Sequence, residues 1–380
     1  MEKSDFNIIE VKSKSDLEDF VRFPFSLYSD NPFWVPTLIK EDIDHFNFLQ
    51  KGFGNKISIH FFLAFEKEML VGRIAALINW IEVKKVNKKK IRFGWFDAID
   101  NVRVTKLLLE KVEEIGRKNK LDFIEGPMGF STMDKAGMLI DGFDEKNTMI
   151  TWYNAPYYSD HLKKIGYSIQ AQWVEYEIHL SSFDESPEKV KKFSELILNR
   201  YKLKVLKFNN RKEIIPYTDE MFDLIGKTYD KLQTFVPIQK EEIDYYKKKY
   251  FKYVNPQFIK CIVNEKDELI AFSVIMPSFS NALKKANGRL FPLGFFYLLK
   301  ALYFNTKGSF YLIGVHPKFQ NKGVTAIIFN EMQKIFNKKN YKIVETNPEL
   351  VENTKIQNLW RNYKHRQHKK RATFKKKILI

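Results

Sequence analysis

The residues with the most chemical content lie between Gly314 and Thr325, in the run GVHPKFQNKGVT. The apolar run SFYLIGV (Ser309–Val315) precedes them, and a stripe of Val324, Ile327, Ile328, Met332, Ile335 and Phe336 at helical spacing follows. This pattern predicts a strand that hands over to a helix. The first N–H groups of a helix lack partners within it, and the aligned peptide dipoles add roughly half a positive charge there. A diphosphate satisfies both. In this reading Gly323 lets the backbone approach an anion without a Cβ in the way. Gln320 opens the loop, Lys322 adds positive charge, and Pro317 ends the strand without leaving a donor unpaired. Asn321, Val324 and Thr325 complete the cradle. The other reading is an ordinary strand-to-helix turn.

Metal chemistry finds no support. Seven scattered histidines and one cysteine give no ligand spacing. Cys261, in the apolar run FIKCIVNE, reads as buried filler.

The elements that must position this loop occur twice. In the first half FFLAFEKEMLVGRIAALI (61–78) reads as a hairpin, IRFGWFDAI (91–99) as a strand, and 105–118 as a helix. LDFIEG (121–126) is the next strand, YYSDHLKKIGY (157–167) a short helix, and QAQWVEYEIHL an alternating strand. The second half repeats the order: a hairpin over 258–276, a strand at 309–315, the helix from 324, the strand YKIVET, the helix NTKIQNLWRNY and the strand RATFKKKILI. A polar, proline-containing stretch, SSFDESPEKV (181–190), reads as the linker. The expected fold class is therefore α/β (α+β), with domains at 1–180 and 191–380, each a mixed, mostly antiparallel twisted sheet flanked by helices. The first half supplies an internal control: its junction, DAIDNVRVT (97–105), has no glycine, and Asp97 and Asp100 stand where an anion would sit.

A strand, then Gln-x-x-Gly-x-small, then an amphipathic helix resembles the pyrophosphate loop of the GNAT (Gcn5-related) acyl-CoA N-acyltransferases. With the duplicated order, the chain resembles a tandem GNAT protein over nearly its whole length. The stretches VETNPELVENTKIQNLW (344–360) and EGPMGFSTMDKAGMLIDGFD (125–144) resemble a bacterial tandem subfamily. Thr325 departs from the family, where glycine or alanine is usual. The resemblance implies that the second half holds acetyl-CoA or a longer acyl-CoA, and that an amine attacks the thioester directly. The degenerate first half then shapes the acceptor pocket or completes the fold. The N–H of Val315 is the matching position for polarising the thioester carbonyl. Glu345 is the candidate base, with a purely structural carboxylate as the alternative. Where the family often has an acidic tyrosine, this chain has Trp360. Tyr363, or Tyr157 and Tyr158 of the first half, could serve instead, or the thiolate leaves unassisted. Asn347 and Asn353 are candidates for binding substrate or for capping helices.

At 380 residues, 44% hydrophobic and 15% aromatic, the chain suits two globular domains. Residues 1–180 carry 25 cationic and 27 acidic side chains, whereas 181–380 carry 39 and 19, so the positive excess belongs to the second half. Such a surface attracts polyanions (nucleic acid, an anionic membrane or a phosphate-rich cofactor), the other reading being codon bias that inflates lysine. The basic run RNYKHRQHKKRATFKKK (361–377) suits nucleic acid, but it also reads as a strand and no nucleic-acid motif accompanies it. An aminoacyl-tRNA-dependent transferase also uses paired GNAT-like halves but needs no diphosphate loop. The segment GRLFPLGFFYLLKALYF (288–304), an insertion relative to the first half, reads first as a core helix. Its second reading is an interfacial helix or acyl-chain groove, and the resemblance links some members to acylating long-chain amino bases. An amine-bearing small molecule or lipid is therefore the expected partner. The N-terminal stretch has no signal-peptide core, no window is long enough to span a bilayer, and a lone cysteine fits a reducing compartment. Together these predict a cytoplasmic protein.

Overall fold

The structure, a computed structural model, describes residues 6–180, 188–230, 235–250 and 254–379. Most of the expected linker, 181–187, lies outside the described residues. The chain begins with β1 (Phe6–Glu10), α1 (Lys14–Leu27), α2 (Ile39–Lys51), β2 (Ile57–Glu66), β3 (Met69–Asn79) and α3 (Trp80–Lys85). It continues with β4 (Lys90–Ala98), α4 (Val102–Lys118), β5 (Phe123–Gly126), β6 (Met138–Asp141), α5 (Tyr157–Lys164) and β7 (Ser168–His179). Next come α6 (Glu188–Arg200), β8 (Lys204–Leu206), α7 (Ile215–Tyr229), α8 (Lys240–Tyr250), β9 (Ile259–Val263), β10 (Leu269–Pro277), α9 (Ser280–Ala286) and α10 (Gly294–Tyr303). The last elements are β11 (Lys307–Val315), α11 (Val324–Lys338), β12 (Ile343–Glu345), β13 (Glu349–Leu350), α12 (Thr354–Trp360) and β14 (Lys364–Lys377). The expected succession of hairpin, strand, helix, strand, helix and strand is present twice.

Two compact units form, cut differently from 1–180 and 191–380. The first takes the chain up to Val174 together with Phe279–Leu299 and Lys369–Ile380, and the second takes Glu175–Ser278 and Lys300–His368. The cause is strand pairing: the last part of β14 pairs antiparallel with β5, Phe374 opposite Gly126 and Lys377 opposite Phe123. The sheet of the first unit thus runs β1-β2-β3-β4-β5-β14. In the second unit the end of β7 pairs antiparallel with β12, His179 opposite Ile343, and the order continues through β11, β10 and β9 to β8.

Each sheet buries one long amphipathic helix. Val104, Leu108 and Val112 of α4 pack with Ile74, Ala76 and Phe93, whereas Ile327, Ile328, Met332 and Phe336 of α11 pack with Ile262, Ile275 and Val344. Full burial of one such side chain is worth about 1.5–3 kcal/mol. The first unit also encloses a charged group. Lys90 pairs with Glu82 at 2.9 Å and Glu125 at 2.7 Å, and Arg92 pairs with Glu82 at 2.9 Å, all these side chains being almost fully buried.

The segment 279–299 packs within the first unit. Leu283 and Ala286 of α9 cluster with Val35 and Leu38, and the Ile39 N–H donates to the Gly288 carbonyl at 3.0 Å. The core helix expected over 288–304 is only half realised, because in α10 the sole fully buried residue is Gly294. The basic run 361–377 is largely β14. Two of its cations turn inward within the first unit: Lys369 donates to the Lys146 carbonyl at 3.0 Å, and Arg371 to that of Trp152 at 2.6 Å. No helix among the described residues is long and apolar enough to cross a membrane.

Candidate functional site

In the second unit β11 pairs with β10 along its length but with β12 only from Lys307 to Ser309, where Ser309 stands opposite Glu345. The ladder with β10 slips register between Val274 and Ile275, and a bulge of this kind re-aims the strand beyond it. Past Ser309 the two parallel strands part. Alternate residues of β11 then turn their carbonyls to one side, where side chains meet them. Asn347 donates to Tyr311, the Tyr229 hydroxyl donates to Ile313 at 2.7 Å, and Gln320 and Thr228 both donate to Val315 at 3.2 Å. In an antiparallel ladder a residue's N–H and C=O point the same way, so the Val315 N–H faces this side too.

The loop after Val315 makes one 3-10 turn, Pro317–Phe319, and then two left-handed residues, Asn321 at φ 62° and Gly323 at φ 82°. Gly323 is the N-cap of α11, and no side chain caps that end. The Ala326 N–H reaches the Gly323 carbonyl at 2.9 Å, which leaves the first-turn donors of Val324 and Thr325 without an intrahelical acceptor. Lys322 holds its ammonium 5.3 Å from the Tyr201 ring centroid and 5.1 Å from that of Phe319. His316 was not singled out in the sequence. Its Nδ1 accepts from the Lys318 N–H at 3.2 Å, and burial, together with Lys227 and Lys318, holds its pKa below the usual value. The glycine has a packing reason beside the one expected. A Cβ at 323 would lie 2.3 Å from Phe193 and 3.2 Å from Ile197, so the residue lets α6 pack over the loop and supplies the left-handed turn.

The matching junction of the first unit is closed. Asn101 caps α4 by accepting from the Arg103 N–H at 2.9 Å. Asp97 is matched by Arg73 at 2.8 Å, and Asp100 meets His161 at 3.0 Å. Both carboxylates are thus paired rather than bare. Ala98 ends β4 as Val315 ends β11, and its N–H donates to the Tyr158 hydroxyl at 2.7 Å. Its carbonyl accepts from Tyr157 at 2.7 Å and Tyr158 at 2.8 Å. Burial, reinforced by Asp97, pushes Tyr158 well above the ordinary tyrosine pKa, and burial brings Tyr157 up to about 12. Both tyrosines thus direct their hydroxyls to Ala98 at the end of β4.

Around the parting strands of the second unit, Glu345 approaches His368 at 3.3 Å, and His368 Nδ1 lies 3.1 Å from the Glu175 carbonyl. Asn347 leaves its Oδ1 buried without a hydrogen bond. Asn353 precedes α12 but makes no side-chain cap. Tyr363 packs against the second core, and burial raises its pKa to about 12. The carboxylate that sequence reasoning missed is Glu349. Its two oxygens accept from the Trp360 indole N–H at 3.0 and 3.2 Å, and burial outweighs that bond to lift its pKa to about 8. Burial raises Tyr229 to about 12, its bond to Ile313 opposes this in part, and the charge of Glu349 adds a smaller push upward. The signal was present in the spacing of Glu349 and Trp360, but which carboxylate would be enclosed depends on a fold that brings α12 back over β13.

No protein-family model matches the chain. Among solved structures, it is similar to a tandem GNAT protein from the clavulanic acid biosynthesis pathway. The match covers 99% of both chains at 7% identity, with a TM-score of 0.56. It is also similar to a GCN5-related N-acetyltransferase from Sphaerobacter thermophilus, over 100% of this chain and 97% of that one, at 9% identity and a TM-score of 0.54. The chain has the tandem GNAT fold. Among curated proteins, Escherichia coli Protein YghO is 26% identical over 318 residues, covering 83% of this chain and 80% of that protein. The bacterial ceramide synthase of Caulobacter vibrioides is 24% identical over 327 residues, covering 83% and 82%.

Proposed function

We propose that the second unit is an acyl-CoA-dependent N-acyltransferase site and that its acceptor is a long-chain amino base. The observation that carries this reading is the uncapped start of α11 at the end of a parted strand, set against the capped start of α4 and the tyrosine-filled strand end of the first unit. Val324 and Thr325 would hold the diphosphate through their N–H groups, with Gln320, Asn321 and Lys322 shaping the loop. The carrier supplies an activated acyl thioester. The Val315 N–H would polarise its carbonyl. The orphaned Oδ1 of Asn347 would accept one amine hydrogen and orient the nitrogen lone pair. Glu349 would take the proton released when the new C–N bond forms, and the thiolate leaving as the C–S bond breaks would be the proton's eventual acceptor. A carboxyl titrating near 8 suits that exchange better than an ordinary one. Glu345, 3.3 Å from the His368 imidazole, would lie at the parting point as the alternative base.

The amino-base acceptor is supported by the name of the Caulobacter relative and by the exposed apolar helix of the insert. Thr325→Glu tests the carrier site. A carboxylate in the first turn favours the helix by about 0.3–1 kcal/mol and repels a diphosphate. Calorimetric CoA binding should vanish while the melting temperature holds, and unchanged binding removes the site. Mass spectrometry of mixtures with palmitoyl-CoA then tests the acceptor. An N-acylated sphinganine is expected, and acylation of short amines alone would refute the lipid acceptor.

A further inference from the structure

Helix α10 has two apolar faces and covers only one of them. Tyr297 and Leu298 pack inward against the Val35, Leu38, Leu283 and Ala286 cluster. The opposite face and its flanks carry Phe291, Leu293, Phe296, Leu299, Tyr303 and Phe304 in solvent, with Phe296 62% and Phe304 79% exposed. A helix apolar all round is ordinarily buried on every side, and an exposed cluster of large side chains is the usual mark of a binding surface. Charge selects the occupant. From Phe279 to Phe304 the chain has no aspartate or glutamate, yet it carries Lys284, Lys285, Arg289 and Lys300. Arg289 and Lys300 bracket the bare face and are exposed. At ten residues the helix is about 15 Å long, too short to cross a bilayer and suited to lying in its surface.

We propose that α10 docks the protein on an anionic lipid surface, with Phe291, Phe296, Leu299 and Tyr303 entering the boundary between headgroups and acyl chains and Arg289 and Lys300 meeting lipid phosphates. Absence of acidic side chains from this segment lowers the repulsion such a surface would exert, Asp19 being an acid that lines the same cavity as Arg289, and aromatic rings suit the interfacial layer. The docking does not depend on the acyl-transfer reading, because neither the α11 loop nor Glu349 takes part.

The experiment is co-sedimentation of the full chain with phosphatidylcholine vesicles, with and without phosphatidylglycerol. The unmodified chain should partition onto the anionic vesicles and much less onto neutral ones. Phe296→Glu with Leu299→Glu, both at exposed positions, should weaken partitioning about tenfold or more, and Arg289→Glu with Lys300→Glu should abolish the preference for anionic lipid. Circular dichroism should show all variants folded. A chain that stays in the supernatant with anionic vesicles overturns the proposal, as does a Phe296/Leu299 variant that binds like the unmodified chain. A concentration-dependent dimer in light scattering, lost in that variant and unaccompanied by vesicle binding, would assign the face to a second copy instead and would equally overturn it.

Discussion

Glu349→Gln separates stability from chemistry at one position. In the unfolded chain this carboxyl titrates near 4.5, and in the folded unit burial lifts it to about 8. Between those values the unfolded chain has released its proton while the folded unit retains it. Folding therefore loses free energy with each pH unit from 4.5 up to about 8, and the loss is complete above that. At 1.36 kcal/mol per unit the interval caps the loss at about 5 kcal/mol. Relaxation and water entry around the charged form bring the expected figure to about 2–3 kcal/mol. Glutamine keeps an oxygen for the Trp360 N–H and does not titrate, so the variant should match the wild type near pH 5. Near pH 8.5 it should melt roughly 5–10 °C higher, for a unit of this size. Trp360 is the only tryptophan within the second unit, so 19F NMR of fluorotryptophan-labelled protein follows this unit's unfolding separately. If Glu349 also accepts the amine proton, wild-type kcat/KM rises with an apparent pKa near 8, and the stabilised variant loses transfer. Identical pH dependence of unfolding in the two proteins would refute the burial reasoning, and a flat wild-type rate profile across that range would refute the catalytic role.

Gly323→Ala places a Cβ against Phe193 at a left-handed φ and should cost about 1–3 kcal/mol. Adding Phe193→Ala should recover only the steric part in chemical denaturation. Tyr158→Phe removes the partner of the buried Ala98 N–H and should destabilise the first unit by about 1–3 kcal/mol, while calorimetric CoA binding stays unchanged. Glu82→Gln breaks a buried ion group and should cost about 3–5 kcal/mol. Burial pushes Glu82 up, but Arg92 and Lys90 outweigh it and hold its pKa below the usual value. The wild type therefore keeps this stabilisation at neutral pH and loses it as pH falls through the depressed value. The difference between the two proteins should shrink in acid melts.

Periodicity made the repeated strands and both long helices legible. The 3.6-residue stripe of 324–336 and the charged turns of the two hairpins are local patterns, and local patterns survive without knowledge of the fold. The strand-to-helix junction was legible because the end of an apolar run and a helix start are also local. Three features were not. The packing demand on Gly323 comes from Phe193, which only α6 brings there. Glu349 is distinguished from Glu345 by what surrounds it, since one carboxyl is enclosed beside an indole and the other meets a histidine. The closure of the first junction rests on Tyr158 folding back onto Ala98, a contact between residues far apart in sequence. Asp97 and Asp100 were visible in the sequence, but their cationic partners, Arg73 and His161, were not.

Strand β14 has a bearing on how the polypeptide can be made. While a ribosome is still adding the second half, β5 has Lys90–Arg92 of β4 on one side and nothing yet synthesised for the other. The stretch that zips onto it, Phe374–Lys377, is made only after the whole of the second unit. Until then the nascent amino-terminal portion presents an unfilled sheet margin, the kind that invites pairing with neighbouring chains. For the same reason a cut between the halves takes β14 from the sheet of the first unit and the end of β7 from that of the second.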